Sequence, residues 1–304
     1  MFKSLVIILG LILLVSCDEE PVESRSFLMG FTQDDKLVSE PTGGWNKSDI
    51  VHFHFDDPLS LVKSEQRSET GEIAVKKQLL LENTTLYLSA SPINAAWSGP
   101  KILSPGKFSF KTAEVKEAYL DYCVNLIDSF EPSYFNMADK ANLLFLHNPS
   151  AWSDFLDFHS FVYTQLKSRY PKLIIFSSIA AEPIIEKELS QDRSLQRLAA
   201  LQLLFNSDLF GITLESKTFN ALTYANAKKP FEELFRINAK PLGIEISYDG
   251  KESAASNFNS SLLLSCHSRR AVFLVSQLPY EKLSFYHTQE VWDTYFQLPY
   301  KAVE

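Results

Sequence analysis

A polar cluster directly after an apolar segment is where this sequence concentrates groups capable of chemistry. Residues 133–138 are predicted to form a short buried strand, and Asp139, Lys140 and Asn142 follow it at once. A carboxylate, an ammonium and an amide side by side can exchange protons and bind polar ligands. In proteins that alternate strands and helices, the chemistry sits at the carboxyl ends of the strands. We therefore expect this cluster to belong to the functional site.

A second polar pattern, His52, His54 and Asp56, alternates along another predicted strand. Alternate residues of a strand point to the same side, so all three can line one cavity. Together with Lys140 they are similar to the metal site of amidohydrolases. However, the segments at 176–178, 213–215 and 275–277 supply none of the further His and Asp ligands that such a site needs. We predict no metal and no cofactor, and interpret His54 and Asp56 as the lining of a polar cleft.

Eight apolar, β-rich segments alternate with helical patterns and must position these groups. The predicted strands are 27–32, 49–55, 84–90, 133–138, 173–178, 208–214, 241–247 and 271–276, and the predicted helices are 59–79, 112–129, 151–169, 182–206, 219–236, 252–267 and 288–297. Continuous apolar strands separated by helices predict a (β/α)8 barrel. Because Pro41, Gly43 and Gly44 interrupt the connection 33–48, we expect the first helix to be short or missing.

An open, doubly wound sheet is the alternative fold. That fold normally places a glycine-rich phosphate-binding turn after its first strand. Here Phe31, Thr32, Gln33 and Asp34 occupy that position. The barrel is therefore favoured, and we predict one domain over residues 27–304.

Two stretches carry a resemblance to a known family. The first lies between residues 115 and 178 and includes the sequences AYLDYC at 118–123, EPSYF at 131–135 and VYTQLK at 162–167; the second is KPLGIE at 240–245. They resemble the retaining glycoside hydrolase barrels of the clan that includes endo-galactanases and cellulase-like enzymes. In that clan the fourth strand ends in an Asn-Glu pair whose Glu is the general acid/base, and the seventh ends in a nucleophilic Glu. The resemblance places Glu245 at the nucleophile position.

The fourth strand departs from this pattern. The resemblance puts Lys140 where the acid/base Glu is expected and Asp139 where the preceding Asn is expected. An ammonium with an ordinary pKa of about 10.4 is a poor proton donor near neutral pH. It also repels the positive charge of an oxocarbenium-like transition state. We therefore expect impaired or absent hydrolysis, as in a pseudoenzyme, with Asp139, Lys140 and Glu245 at the former catalytic centre.

Aromatic residues near the predicted strand ends are suited to a glycan cleft, because flat rings stack on sugar faces. We predict that poly- or oligosaccharide binding at this cleft involves the following residues: Trp45, Trp97, Tyr248 and Tyr280, together with Asn142, His54, Asp56 and Glu215. Two alternatives remain open. In the first alternative, the protein is an active glycosidase that uses Glu245 with Asp139 or Glu215. In the second, it is a non-catalytic surface scaffold for a protein partner.

The first 17 residues have the pattern of a targeting segment. Lys3 precedes an apolar run, and Leu14-Val15-Ser16-Cys17 resembles the lipobox of bacterial lipoproteins. We expect a lipid at Cys17, a flexible tether over 18–26 and attachment of the protein to a membrane of the bacterial cell envelope. The net charge of −8 argues against nucleic acid as a partner. We expect a monomer in which Cys123 and Cys266 are buried free thiols.

Overall fold

The computed structural model describes residues 24–32, 48–56, 84–102, 108–185, 193–215, 234, 236–237, 239–247, 271–276 and 289–301. The predicted targeting segment with Cys17, most of the tether, and the predicted helices at 59–79 and 252–267 lie outside these residues. So do most of the predicted helix 219–236, most of the connection 33–48, and Trp45, Tyr248 and Tyr280.

Nine parallel strands form one sheet that curves into a barrel. They are β1 (Leu28–Thr32), β2 (Ile50–Phe55), β3 (Thr85–Ala90), β4 (Tyr134–Asn136), β5 (Ile174–Phe176), β6 (Ser178–Ala180), β7 (Phe210–Glu215), β8 (Leu242–Ser247) and β9 (Ala271–Ser276). Their order across the sheet is β5-β4-β3-β2-β1-β9-β8-β7-β6. Each of the eight predicted strands is present, with bounds that differ by a few residues.

The barrel closes through the chain itself, because Ser177 alone separates β5 from β6. Strand β5 pairs with β4, and β6 pairs with β7 on the other side. The predicted strand 173–178 is thus divided into two short strands that serve different neighbours. The Ser177 hydroxyl lies 2.9 Å from Nε2 of the buried His159, which fixes this junction to the helix behind it. The architecture is the predicted (β/α)8 barrel, with its fifth strand in two parts.

The described helices lie between the strands along the chain. They are α1 (Ala113–Phe130), α2 (Asn142–His147), α3 (Trp152–Arg169), α4 (Glu182–Ile185), α5 (Arg193–Leu204) and α6 (Gln289–Phe296). Thr112 is the N-cap residue of α1, as its sequence position predicts. Helix α1 ends at Glu131, which has a left-handed backbone (φ 48°) and donates its N–H to the carbonyl of Ile127. The predicted helix 182–206 is described as two segments, α4 and α5.

Apolar side chains fill two separate cores. One lies inside the barrel and includes Tyr87, Phe176 and Phe273. The other lies between strands and helices, where, for example, Phe53 and Phe55 of β2 pack against Phe130 of α1. Strands that are buried on both faces explain why the sequence shows nearly continuous apolar segments. The polar side chains on these strands are therefore exceptions that require partners.

Small inward residues make room for the large rings inside the barrel. A Cβ atom at Gly211 would lie 2.6 Å from the Phe176 ring, and one at Gly243 would lie 2.5 Å from the Phe273 ring. Real Cβ atoms essentially never approach that closely. Glycine on one strand therefore complements phenylalanine on its neighbour, and the interior is packed with side chains below the mouth.

Arg25 joins the start of the barrel to its end. Its guanidinium forms an ion pair with Asp49 and donates to the carbonyls of Phe27 (2.9 Å) and Leu298 (3.1 Å). Asp49 in turn accepts the N–H of Met29 at 2.9 Å. These bonds lie at the amino ends of the strands, opposite the mouth, and fix β1 against the segment that follows α6.

Two further features concern the outer surface. Helix α5 and the residue after its end expose an apolar stripe, which is formed by Leu195, Leu198, Leu201 and Phe205. In the part of the chain that the structure describes, no helix has both the length and the apolar character needed to cross a membrane.

Candidate functional site

Lys140 occupies the mouth of the barrel, in the loop between β4 and α2. Its backbone is left-handed (φ 48°), and its N–H donates to the Ser178 hydroxyl at 3.0 Å. Its Nζ lies 3.9 Å from Oε1 of Glu215. A left-handed backbone at a residue other than glycine costs energy and persists only where the surroundings enforce it. The loop therefore holds the Lys140 side chain, which is only 17% exposed, in a defined place.

Four carboxylates on or after different strands raise the pKa of this ammonium. Burial alone would lower the pKa of Lys140, but four carboxylates outweigh burial and raise it above its ordinary value of 10.5: Asp139, Glu245, Glu215 and Glu182. A nearby negative charge favours the charged form of an amine. Lys140 is therefore a permanent cation throughout the physiological pH range. Among the described residues, its carboxylate partner within 4 Å is Glu215, whereas Glu245 acts on it through its charge.

Asp139 is fixed by two hydroxyl groups from neighbouring strands. Its Oδ1 accepts a hydrogen bond from Ser178 at 2.6 Å and one from Thr213 at 3.3 Å. Ser178 lies at the start of β6 and Thr213 on β7, so these two hydrogen bonds join the loop after β4 to β6 and β7. Asp139 is therefore part of the mouth, and its Oδ1 is already used as an acceptor.

Glu182 is a site residue that the sequence analysis did not identify. It begins α4, separated from the end of β6 by one residue, and is only 5% exposed, and its Oε1 accepts the N–H of Glu215 at 2.7 Å. Burial raises the pKa of Glu182 to about 7, and the nearby Glu215 also raises it, whereas backbone hydrogen bonds and Lys140 lower it. Glu182 is thus half protonated near neutral pH, which makes it suitable for proton transfer. Its position shortly after a strand was a signal in the sequence, but its place at the start of a helix, which the structure confirms, gave no reason to single it out.

Glu245 projects from β8 and is only 3% exposed. Its Oε2 accepts a weak hydrogen bond from the Tyr87 hydroxyl at 3.4 Å, and its Oε1 lies 3.7 Å from Nδ1 of His52. Burial, followed by the charges of Glu245 and Asp139, raises the pKa of Tyr87 well above 10. Tyr87 therefore stays a neutral hydroxyl that donates to Glu245.

Asn136 links the two sides of the mouth. Its Nδ2 donates to the Tyr87 hydroxyl at 3.2 Å and to the Ser178 hydroxyl at 3.0 Å, and its Oδ1 accepts the N–H groups of Ser178 and Ala138. The side chain is fully buried. It connects the Glu245–Tyr87 pair to the group around Asp139, so that both carboxylates belong to one hydrogen-bonded network.

His52 and His54 line the other wall. The Ser89 hydroxyl lies 2.7 Å from Nε2 of His52 and 2.7 Å from Nδ1 of His54. Nδ1 of His52 lies 2.8 Å from the Thr32 hydroxyl, and its ring stacks on Tyr87 with centroids 4.1 Å apart. His52 is fully buried, whereas His54 is partly exposed. The predicted inward direction of both residues is therefore observed.

The remaining predicted ligand-binding residues have different surroundings. Asn142 is fully buried, and its amide bonds the backbone of Ala180 at 2.7 and 3.0 Å, so it supports the loop and does not line the mouth. Asp56 is exposed and forms an ion pair with Lys101. Trp97 lies in the loop after β3 with φ 53° and packs against the outer core.

Metal binding finds no support in the described part of the chain, where no three His, Cys, Asp or Glu side chains are grouped to hold an ion. His52 and His54 instead share the Ser89 hydroxyl. Cys123 is a buried free thiol, as predicted.

Solved structures of glycoside hydrolases share this fold. An exo-beta-1,4-mannosidase from Opitutaceae bacterium strain TAV5 superposes with a TM-score of 0.57 at 11% identity, covering 86% of this chain, which spans only 55% of that enzyme's length. A beta-glucosidase from Thermotoga maritima in complex with castanospermine gives 0.58 at 9% identity, covering 93% of this chain and 100% of the other. A GH5_18 protein from Streptomyces cattleya in complex with Manb1-4GlcNAc gives 0.54 at 11% identity, covering 83% and 70%.

At these identities the likeness establishes the (β/α)8 fold. No family model matches this chain, and no curated protein sequence matches it.

Proposed function

We propose that this protein binds an oligo- or polysaccharide at the mouth of its barrel and that hydrolysis by the usual two-carboxylate mechanism is impaired. The observation that carries the proposal is the fixed ammonium of Lys140 among the carboxylates of the mouth. The carbohydrate class is supported by the three structural neighbours, a mannosidase, a beta-glucosidase and a protein solved with a disaccharide.

Glycoside hydrolysis makes two demands on the mouth. One carboxyl must be neutral to protonate the leaving oxygen, and a second must be ionised to stabilise or attack the anomeric carbon. Glu245 can fill the second role, because it is buried and receives the Tyr87 hydroxyl. Lys140 cannot fill the first, since the surrounding carboxylates raise its pKa and hold its proton more tightly. The same ammonium can donate hydrogen bonds to sugar hydroxyls.

The mouth offers both kinds of hydrogen-bonding partner to a glycan. Lys140 and the partly exposed His54 supply donors, and Glu215 and Glu245 supply acceptors. Sugars present vicinal hydroxyls that donate and accept at once, so such a mixed set is suited to them. Trp97, in the loop after β3, is the first described aromatic residue beyond the end of that strand.

Binding and turnover must be measured separately to test this proposal. Calorimetry of the purified protein against gluco- and manno-oligosaccharides is expected to show binding, and aryl glycosides are expected to remain uncleaved. Glu245→Gln should weaken binding about tenfold or more, because hydrogen bonds to charged groups contribute about 1.5–3 kcal/mol. Glu131→Gln, a matched change at the opposite end of the barrel, should leave affinity unchanged. Absence of binding to every glycan would refute the proposal.

An active glycosidase is the second candidate, favoured by the pKa of about 7 at Glu182. In that case Glu182, not Asp139 or Glu215, would be the proton donor and Glu245 the second carboxylate. Turnover of an aryl glycoside that is lost in both Glu245→Gln and Glu182→Gln would establish it. Binding without turnover would support the first candidate.

The scaffold alternative also has one observation in its favour, the apolar stripe of helix α5. Exposed contiguous apolar surface is common where proteins meet partners. This alternative expects no glycan affinity, so the calorimetric experiment above distinguishes it from the leading proposal.

We further propose that Cys17 carries a lipid that holds the protein on a membrane of the cell envelope. The support is the apolar run followed by Leu-Val-Ser-Cys. Detergent phase partition of the expressed full chain tests this. The protein should enter the detergent phase, and Cys17→Ser should abolish that behaviour; equal partition of both would refute lipidation.

A further inference from the structure

A hydrogen-bonded chain crosses the wall of the mouth and ends beside Glu245. Its outer member is His54, its middle member is Ser89 and its inner member is His52. In the sheet, His54 lies opposite Ser89 in the β2–β3 register, and His52 lies opposite Tyr87. We propose that His54, Ser89 and His52 form a proton relay that carries a proton from the mouth to the buried imidazole beside Glu245. The relay thereby controls the electrostatic environment in which Glu245 meets a ligand.

The Ser89 hydroxyl couples the two rings. It has one proton, so it donates to one imidazole nitrogen at 2.7 Å and accepts from the other at 2.7 Å. When both rings are neutral, either His52 or His54 presents an N–H to Ser89, and the other presents a lone pair. A change of tautomer at one histidine therefore requires a change at the other.

Proton transfer along this chain is balanced at every step. His54 takes a proton at Nε2 and releases its Nδ1 proton to the oxygen of Ser89. The hydroxyl proton of Ser89 moves at the same time to Nε2 of His52. One proton enters at the mouth and one remains on His52, while Ser89 is again a neutral hydroxyl whose hydrogen bonds now point the other way.

The surroundings of His52 can hold the resulting imidazolium. Its Nδ1 faces the Thr32 hydroxyl at 2.8 Å and Oε1 of Glu245 at 3.7 Å. Its ring stacks on Tyr87, whose π face attracts a cation. Tyr87 itself stays neutral, because burial and the nearby Glu245 raise its pKa well above 10. These partners come from β1, β3 and β8, the described strands that pack around His52.

Lys140 carries a further positive charge near Glu245. Its pKa is raised above 10.5 by the carboxylates around it. Lys140 therefore stays charged, and a proton that the relay delivers to His52 adds a further positive charge beside Glu245. The consequence for ligand binding rests on the proposed function, because it concerns the same Glu245.

Nitrogen NMR of the full chain, labelled with ¹⁵N-histidine and free of glycan, tests the relay directly. Chemical shifts report the tautomer and charge of each ring, and water exchange reports how quickly a proton reaches His52. Without a relay, a fully buried imidazole exchanges only through local opening of the structure. Ser89→Ala should therefore slow exchange at His52 by about tenfold or more, and Ser89→Thr, which restores a hydroxyl, should recover it.

His159 provides an internal control for folding. It is buried, its Nε2 lies 2.9 Å from the Ser177 hydroxyl, and burial lowers its pKa to about 3, so its signals should stay constant in every variant. If Ser89→Ala alters them, His54→Gln replaces it as the test, since it removes the outer member and should slow exchange equally. Unchanged exchange at His52 in a folded variant of either kind would refute the relay.

The glycan measurements give an independent result. If proton exchange at His52 depends on Ser89 but the protein binds no glycan, the relay is supported and the proposed function is refuted. If the protein binds glycan but proton exchange at His52 is the same without the Ser89 hydroxyl, the proposed function is supported and the relay is refuted.

Discussion

Replacing Glu182 with Gln should make the stability of this protein less sensitive to a rise in pH from about 4.5 to about 7. The wild-type carboxyl is 5% exposed and accepts the N–H of Glu215 at 2.7 Å. A Gln side chain has nearly the same shape, and its amide oxygen can accept the same hydrogen bond. The substitution thus removes the titration of Glu182 with little change in packing.

The expected magnitude follows from the pKa of this group. Glu182 has an ordinary pKa of 4.5 when exposed and a pKa of about 7 in the folded protein, because burial disfavours its charged form. A folded-state pKa above the unfolded one means that the folded protein binds more protons between these values. Stability is then lost as pH rises from about 4.5 to about 7. At about 1.4 kcal/mol per pH unit, the loss is about 3 kcal/mol.

Urea denaturation of wild type and Glu182→Gln at pH 4.5, 6, 7 and 8 measures this difference. The free energy of unfolding of the variant relative to wild type should increase by about 3 kcal/mol between pH 4.5 and pH 8, and the slope against urea should stay the same. Glu131→Gln, an exposed carboxylate changed in the same way at the other end of the barrel, should follow the wild-type profile.

Parallel profiles of Glu182→Gln and wild type would refute the reasoning, since they would show that Glu182 titrates alike in the folded and unfolded chains. A difference of the opposite sign would mean that Glu182 is held ionised in the folded protein. In that case Lys140 would lower the pKa of Glu182 by more than burial raises it.

Three further outcomes are expected. Lys140→Met should lower the free energy of unfolding by about 3 kcal/mol at pH 8, because it leaves the buried Glu182 and Glu245 without this cation. The loss should be smaller at pH 5, where Glu182 is protonated, and urea denaturation at both pH values measures the difference. Gly243→Ala should destabilise the fold by about 1–3 kcal/mol, because the new Cβ would lie 2.5 Å from the Phe273 ring. The control Gly99→Ala, in an open loop, should be tolerated. Equal melting temperatures of the two variants would contradict the close packing at Gly243. Burial raises the pKa of the Cys123 thiol, so at pH 7 a thiol reagent followed by peptide mapping should label Cys123 only after denaturation.

The fold was largely predictable from the sequence. Strands buried on both faces must be apolar almost throughout, so each of the eight segments stood out between helical patterns. The division of the fifth strand was not predictable. It depends on hydrogen bonds to two different neighbours and on the contact between Ser177 and His159, residues 18 positions apart.

The candidate site was predictable in part. Polar residues directly after apolar strands, such as Asp139, Lys140 and Glu215, were visible in the sequence and lie at the mouth. Asn142 was expected at the cleft, but its buried amide bonds the backbone of Ala180 and the side chain of Gln196. Asn142 follows the fourth strand just as Asp139 and Lys140 do. Only the tertiary structure shows that its side chain supports the loop and does not line the mouth.

The amino-acid sequence by itself determined the eight strand-forming segments, their alternation with helices and the presence of charged groups at their ends, because these depend on local apolar patterns and chain order. The tertiary structure decided which charges meet. The raised pKa of Glu182, the carboxylates around Lys140 and the hydroxyl shared by His52 and His54 all join residues far apart in the chain. Charge interactions and burial depend on distance in space, and closing the barrel is what brings these groups together.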